Sequence, residues 1–419
     1  MTPITPNTSS FQGLGIAPKL LGILHQKGFK SPTPIQLQAI PVAISGKDLM
    51  GIAQTGTGKT LAFGVPMLQI IAQTQTKGLV ILPTRELAIQ VNDALQNLGR
   101  SLNLKTAVLI GGESIHKQYT ALRARPHVVI ATPGRLIDHL EQKSLSLNQI
   151  GILILDEADR MLDMGFAPQL NKILSHVPKE RQTMLFSATM PPEIIRIATN
   201  YMKLPMRVEV APQGTTAAKI TQEIIFVDRQ GKLSQLKKIL DEYKGSTLVF
   251  SRTKHGAKKI AVAVRNMGHT ASEIHSNRSL SQRLEALKGF KLGKYRVLVA
   301  TDIAARGIDV TGIELVVNYD LPEQAQDYVH RIGRTGRAEL SGHAISLATP
   351  DQKRDVRDIE RLIKKQLPVT HATTQKNVSM DYNEPISHYH KKTFRPAFGR
   401  RKPNPFSRTR FARNFSRSR

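Results

Sequence analysis

Ala53-Gln54-Thr55-Gly56-Thr57-Gly58-Lys59-Thr60 follows a short apolar run, Leu49-Met50-Gly51-Ile52, and opens a helix-forming segment from Leu61 to Ile71. Strand, glycine turn and helix start, in that order, are the setting of a phosphate-binding loop. Gly56 and Gly58 let the backbone curl until its N–H groups converge on a polyphosphate. Lys59 then reaches the β- and γ-phosphates, the Thr60 hydroxyl suits Mg2+, and the helix start adds partial positive charge. A glycine-rich turn that binds nothing has the same local sequence, so the rest of the chain has to decide.

Outward from the loop, short apolar runs alternate with amphipathic stretches. Strands are expected at 49–53, 79–83, 106–110, 127–131, 151–155 and 183–186, with helices such as Arg85 to Leu98 between them. That alternation predicts an α/β domain, a parallel sheet covered by helices on both faces. After Pro205 the chain loosens into Ala211-Pro212-Gln213-Gly214-Thr215-Thr216, a linker composition. The alternation then restarts, with strands near 222–227, 247–251, 272–275, 296–300, 314–318 and 343–348, helices Leu233 to Tyr243 and Ala257 to Met267, and a closing helix around 351–366. The expected layout is a lead-in over 1–37, a first domain over 38–208, a linker over 209–219, a second domain over 220–367 and a tail over 368–419.

Composition narrows the partners. The 419 residues are 40% hydrophobic, enough for real cores, and carry a net charge of +28. Such an excess favours phosphate-rich partners, nucleic acid before an anionic membrane surface. No apolar run approaches the length of a membrane span, and the first residues lack the pattern of a signal peptide, so the expected setting is the cytoplasm. Without cysteine there is no disulfide framework and no thiolate zinc site, and the thirteen histidines show no zinc-ligand spacing. From Pro385 to Arg419 the chain has 11 Lys/Arg and no acidic residue, interrupted by Phe394, Phe398, Phe406, Phe411 and Phe415. Dense like charge with few aliphatics predicts disorder, and arginines interleaved with aromatics suit single-stranded nucleic acid.

The expected strand 151–155 runs into Asp156-Glu157-Ala158-Asp159. At the carboxyl edge of a parallel strand, opposite a phosphate loop, Asp156 can hold Mg2+ and Glu157 can orient and deprotonate the water that attacks a γ-phosphate. In isolation the same four residues make an ordinary acidic helix start. Their position about 100 residues after the loop, on an apolar strand of their own, favours the chemical reading.

Here the chain resembles the DEAD-box RNA helicases of helicase superfamily 2, over roughly residues 11 to 345 and through about ten motifs in the expected order. The resemblance implies two tandem RecA-like domains, hydrolysis of ATP with Mg2+, RNA as partner and a core that acts as a monomer. Gly28 to Gln36, with the upstream Phe11, is similar to the family's Q motif, which places Phe29 on the adenine ring and Gln36 on its edge. An amide that donates and accepts at once selects adenine over guanine. The nucleotide would then be held by Phe29, Gln36, the loop residues Ala53, Gln54, Thr55, Gly56, Thr57, Gly58, Lys59 and Thr60, and by Asp309 on the ribose.

By the same resemblance Pro83, Thr84, Arg85, Gly111, Gly112, Thr132, Pro133, Gly134 and Arg135 face RNA in the first domain, and Arg252, Thr253 and Thr301 in the second. Hydroxyls, glycine backbones and arginines suit phosphate and 2′-OH contacts that position RNA without reading sequence. Ser187-Ala188-Thr189, together with Asp159 and His330, matches the segments that couple hydrolysis to strand separation. In His330-Arg331-Ile332-Gly333-Arg334-Thr335-Gly336-Arg337 the arginines also read as a solvated basic helix face; by resemblance Arg334 and Arg337 reach the γ-phosphate from the second domain, joining Lys59 and Glu157 as catalytic residues. The family often has Gln-x-x-Arg before the helix near residue 285, whereas Leu280-Ser281-Gln282-Arg283 puts leucine at the glutamine position. The implied activity is ATP-dependent unwinding of short RNA duplexes or remodelling of RNA–protein complexes, with ribosome assembly and mRNA decay as the common settings.

Overall fold

The computed structural model describes residues 10–54, 56–210, 220–305, 312–336 and 342–371, which form two lobes within one compact unit. The first lobe contains strands β1 (Leu49–Ile52), β2 (Lys77–Ile81), β3 (Thr106–Leu109), β4 (Val128–Ala131), β5 (Ile150–Leu155), β6 (Gln182–Ser187) and β7 (Met206–Glu209). The second contains β8 (Ile220–Phe226), β9 (Thr247–Phe250), β10 (Ala271–Ile274), β11 (Val297–Ala300), β12 (Leu315–Asn318), β13 (Gly342–Ala348) and β14 (Val369–His371). Every strand pair is parallel. The orders β3-β4-β2-β5-β6-β1-β7 and β10-β11-β9-β12-β13-β8-β14 are the same order twice, so each lobe repeats one wound sheet.

Helices cover both faces, and the central strands are therefore buried and mostly apolar. Leu79, Val80, Ile81, Ile154, Met184, Leu185 and Phe186 have no exposed surface, nor have Leu248, Val249, Val297, Leu298, Val316 and Val317 in the second lobe. Among the described residues no helix is long and apolar enough to cross a membrane.

Two strands lie where none is expected, and both are sheet edges. In β7 only Val208 is buried while Met206, Arg207 and Glu209 are exposed, so no apolar run marks it. Asp48 anchors this edge: its carboxylate accepts from Thr183 N and Lys203 N, both at 2.7 Å, and its carbonyl accepts from Met206 N at 2.8 Å. Glu209, expected as the first linker residue, thus closes β7. Likewise β14 pairs Val369–His371 with Ile224–Phe226, so these three residues belong to the second sheet and not to the expected tail. The free outer edge of β8 supplies ladder partners that a three-residue polar-flanked segment does not announce in sequence. Residues 211–219 of the expected linker and the tail beyond His371 lie outside the described residues.

Candidate active site and nucleic-acid interface

β5, β6 and β1 are neighbours in the first sheet, and each ends at its carboxyl edge in one of the polar segments singled out above. Parallel strands deliver their carboxyl ends to one crevice, where ligands of such sheets bind. The loop after β1 is tied to β6 through Ala53 N donating to Ser187 O at 3.0 Å, and Thr57 Oγ1 donates to Gln54 O at 2.7 Å. Gly58 stands at φ +92 as the cap of helix Lys59–Thr74, and a Cβ there would collide with the Gln36 amide. Glycine is required twice over, by conformation and by space.

Gln36 itself is built onto the loop. Its Nε2 donates to Gly58 O at 3.0 Å and its Oε1 accepts from Thr33 N at 2.9 Å, which makes it the third residue of the capping box of helix Pro34–Ile44. Each end of the amide keeps one further hydrogen-bonding position. Phe29 presents a partly exposed ring, Thr60 is the second residue of the helix after the loop, and Thr55 lies outside the described residues.

Lys59, Asp156 and Glu157 are all buried together. Lys59 Nζ bonds Glu157 Oε1 at 2.9 Å and stands 3.8 Å from Asp156 Oδ1. Burial works against the ammonium, yet the two carboxylates outweigh it and raise the Lys59 pKa. Burial pushes Asp156 up to about 6, only partly offset by Lys59. Burial would raise Glu157 as well, but Lys59, Arg160 and then Arg334 outweigh it and hold the carboxyl well below its usual range. Glu157 adopts a left-handed backbone at φ +54 and donates its N–H to Asp156 Oδ1 at 2.9 Å, a strained turn that sets both acids against Lys59.

Arg160, which sequence reasoning passed over, approaches Glu157 at 3.4 Å and is buried. Its one available signal was its position three residues after Glu157 at a helix start. Asp159 organises the end of β6. Its Oδ2 accepts from Ala188 N at 3.1 Å, Thr189 N at 2.8 Å and Thr189 Oγ1 at 2.8 Å, while its own N–H donates to Ser187 Oγ at 3.2 Å.

The second lobe faces this crevice. Gly333 lies against Gln54, whose Oε1 is 4.0 Å from where a Cβ would stand. Arg160 of the first lobe lines one small cavity with Asp302, Asp327, His330 and Arg334 of the second. Arg334 is buried, with Nε donating to His330 O at 3.3 Å. The solvated basic face considered for these arginines does not form at Arg331 or Arg334, both of which are buried. Arg331 is buried under its own lobe, its guanidinium paired with Asp302 at 2.5 and 2.7 Å and donating to Asn318 Oδ1 at 3.1 Å. Phe250 packs beneath that guanidinium at 5.0 Å. Asp309 and Arg337 lie outside the described residues.

The residues expected to face RNA gather on the other half of each sheet, after β2, β3 and β4 in the first lobe and after β9 and β11 in the second. Pro83 is buried, and Thr84 caps helix Arg85–Gly99 by accepting from Leu87 N at 3.3 Å; Thr253 caps helix Lys254–Asn266 by accepting from Gly256 N at 2.9 Å. Thr132 is the cap residue of helix Pro133–Glu141, whose first turn holds Gly134, and the Thr301 carbonyl opens helix Asp302–Ala305. Two helix N-termini in each lobe therefore follow strands at the carboxyl edge of its sheet, a backbone arrangement suited to phosphates. Arg85 lies across Gly111 and Gly112, and at Gly112 any Cβ would strike its guanidinium. Arg135 bonds Asp138 at 3.2 Å and Glu113 O at 3.3 Å, and Arg252 donates its N–H to Asp320 Oδ2 at 3.0 Å.

Residues 33–197 match the family model of the DEAD/DEAH box helicase, and residues 231–339 that of the helicase conserved C-terminal domain. The DEAD-box ATP-dependent RNA helicase CshA of Geobacillus kaustophilus is 42% identical over 362 residues, 86% of this chain and 78% of that protein. CshA of Bacillus subtilis is 42% identical over 363 residues, 86% of this chain and 74% of that protein. Among solved structures, S. cerevisiae Dbp5 bound to RNA and ADP-BeF3 superposes with a TM-score of 0.77 at 28% identity, covering 87% of this chain and 96% of that one.

Proposed function

This chain belongs to the DEAD-box family of ATP-dependent RNA helicases, and from that premise we propose how its own residues carry out the ATP-driven remodelling of RNA. One observation supports the division of labour above all. Arg334 of the second lobe and Arg160 of the first line one small cavity, and Arg160 in turn stands 3.4 Å from Glu157. The site is composed across the cleft, so hydrolysis requires the lobes to be together. The match to an RNA- and nucleotide-bound relative, over both lobes, agrees with that arrangement.

In this reading Phe29 stacks on adenine and Gln36 spends its remaining donor and acceptor on the adenine edge, with Asp309 on the ribose. Because Gln36 also bonds Gly58, the base contact is passed directly to the phosphate loop. Lys59 exchanges Glu157 for the β- and γ-phosphates, which frees the Glu157 carboxylate to orient the attacking water and take its proton. Arg334 and Arg337 neutralise charge that builds on the transferring phosphoryl group. The Thr60 hydroxyl and Asp156 carboxylate are hard oxygen donors that fit Mg2+, and the incomplete compensation of Asp156 by Lys59 leaves room for a further positive charge. When bound, Mg2+ offsets the charge of the phosphates.

RNA runs over the capped helix N-termini of both lobes, through the Thr84, Arg85, Gly112, Thr132, Arg135, Thr253 and Thr301 region. Asp159, through Thr189, links the acidic motif to the end of β6 and carries the state of the nucleotide toward His330 and the second lobe. We place the protein in the cytoplasm as a monomeric core acting on structured RNA of ribosomal or decay assemblies; crosslinking in cells and sequencing of bound RNA identifies the target. The decisive test is enzymatic. Lys59→Ala and Glu157→Gln should each abolish RNA-stimulated ATP hydrolysis, and near wild-type turnover in either variant would sink the assignment.

A further inference from the structure

Helix Leu280–Lys291 belongs to the second lobe, where Ala286, Leu287 and Phe290 enter the core. Its first turn leaves that lobe. Ser279 N donates to Gln282 Oε1 at 3.0 Å and Gln282 N donates to Ser279 Oγ at 3.3 Å, a capping box that fixes the turn. Residues 280, 283 and 284 then share one face. Leu280 is only 8% exposed, and the apolar cluster it joins is otherwise made of first-lobe residues, with Leu284 packed at its margin. Arg283 meets Glu86 of the first lobe at 3.0 Å, and the Glu86 side chain is just 3% exposed. Since helix Leu280–Lys291 moves with the second lobe, Leu280 keeps this burial only while the lobes are together.

We propose that Leu280 is a positioning residue for closure: its side chain, lodged in the first lobe's apolar cluster beside the Arg283 and Glu86 pair, sets how strongly RNA and ATP tighten each other's binding. This role rests on the reading that hydrolysis requires the lobes together. The ion pair and the leucine do different things. A buried ion pair fixes register but adds little net stability, because desolvation offsets its attraction. Leucine burial adds free energy without demanding one geometry, and salt does not screen it. Leu280 therefore biases the lobes toward the arrangement that completes the ATP site, and it does so without touching either ligand.

The test measures AMP-PNP affinity of the full chain with and without a single-stranded RNA oligomer. Wild type, Leu280→Ala and Leu280→Met are compared, each with its thermal midpoint. In wild type RNA should tighten AMP-PNP binding. In Leu280→Ala that tightening should fall about 10-fold, the scale of losing most of one leucine's burial. RNA affinity in the presence of AMP-PNP should fall by the same factor. AMP-PNP affinity without RNA should not move, and Leu280→Met should retain most of the coupling. If wild type couples and Leu280→Ala couples equally, the role of Leu280 is overturned while the closure reading stands. If Leu280→Ala weakens AMP-PNP to the same extent without RNA, Leu280 is ordinary packing and the proposal also falls. Absence of coupling in wild type would remove the closure reading itself, and the proposal with it.

Discussion

Arg331 lies in the last turn of helix Ala325–Ile332 and Arg334 just beyond its cap Gly333, and both are buried but with different partners. Arg331 is locked beneath the second sheet by Asp302, Asn318 and the Phe250 ring, whereas Arg334 bonds His330 O and lines a cavity shared with Arg160 of the first lobe. In sequence a spacing of three reads as neighbouring positions of one helical face, and sequence has no means of saying that the helix stops between them or which one the sheet will cover. Arg160 escaped for the same reason, since a basic residue after an acidic motif looks solvated until the helix start turns it inward. At this scale we expect Arg334→Ala to lower kcat by about 10³-fold, the lower range for loss of an arginine finger. Nucleotide affinity should change only a few-fold, because the phosphate loop is untouched; ATPase kinetics at saturating RNA alongside nucleotide titration check both.

Single elements are held by polar links that periodicity does not reveal. Gln118, on helix Ile115–Arg123, donates to Ile110 O at 2.8 Å, just before Gly111. That bond orients its amide so that Oε1 accepts from His139 Nε2 at 3.1 Å, and the other ring nitrogen of His139 meets Ser144 Oγ at 2.7 Å. A neutral ring with the proton on Nε2 satisfies every partner, and it joins the Gly111-Gly112 turn to the helix that begins at Pro133. Burial first, and the Arg135 charge second, lower the His139 pKa below its ordinary 6.5. The unfolded chain therefore binds a proton that the folded one refuses. The stability held by His139 is fully present above about pH 6.5 and is lost as pH falls below it. His139→Asn should be less stable at neutral pH by about 1–3 kcal/mol, the cost of leaving Gln118 and Ser144 incompletely bonded. Its decline on acidification should be shallower than wild type, as read by urea unfolding at a series of pH values.

Across the whole molecule, the charge that composition reported is unevenly spread. Removing residues 385–419 takes away 11 Lys/Arg and no acid. The shortened protein should bind RNA more weakly, with a log–log salt slope shallower by about 0.7 for each RNA phosphate that this segment neutralises. Its basal ATP hydrolysis should be unchanged, because every residue proposed for the ATP site is retained. An unaltered slope would show that this segment does not touch RNA.

What the sequence determined by itself is the chemistry and the repeated plan. The loop from Ala53 to Thr60, the acids Asp156 and Glu157, and two rounds of alternating strands and helices are local patterns, carried by residue type and spacing over a few turns of chain. Even the departure at Leu280 was visible. Tertiary structure alone decided the rest. Edge strands β7 and β14 exist because a sheet edge offers them partners, not because their residues alternate. Gln36 is welded to Gly58 and Leu280 is buried against the other lobe through contacts between segments far apart in the chain. In the proposed reading the phosphate loop is half of a site, and its other half is supplied by a lobe whose position no local pattern encodes.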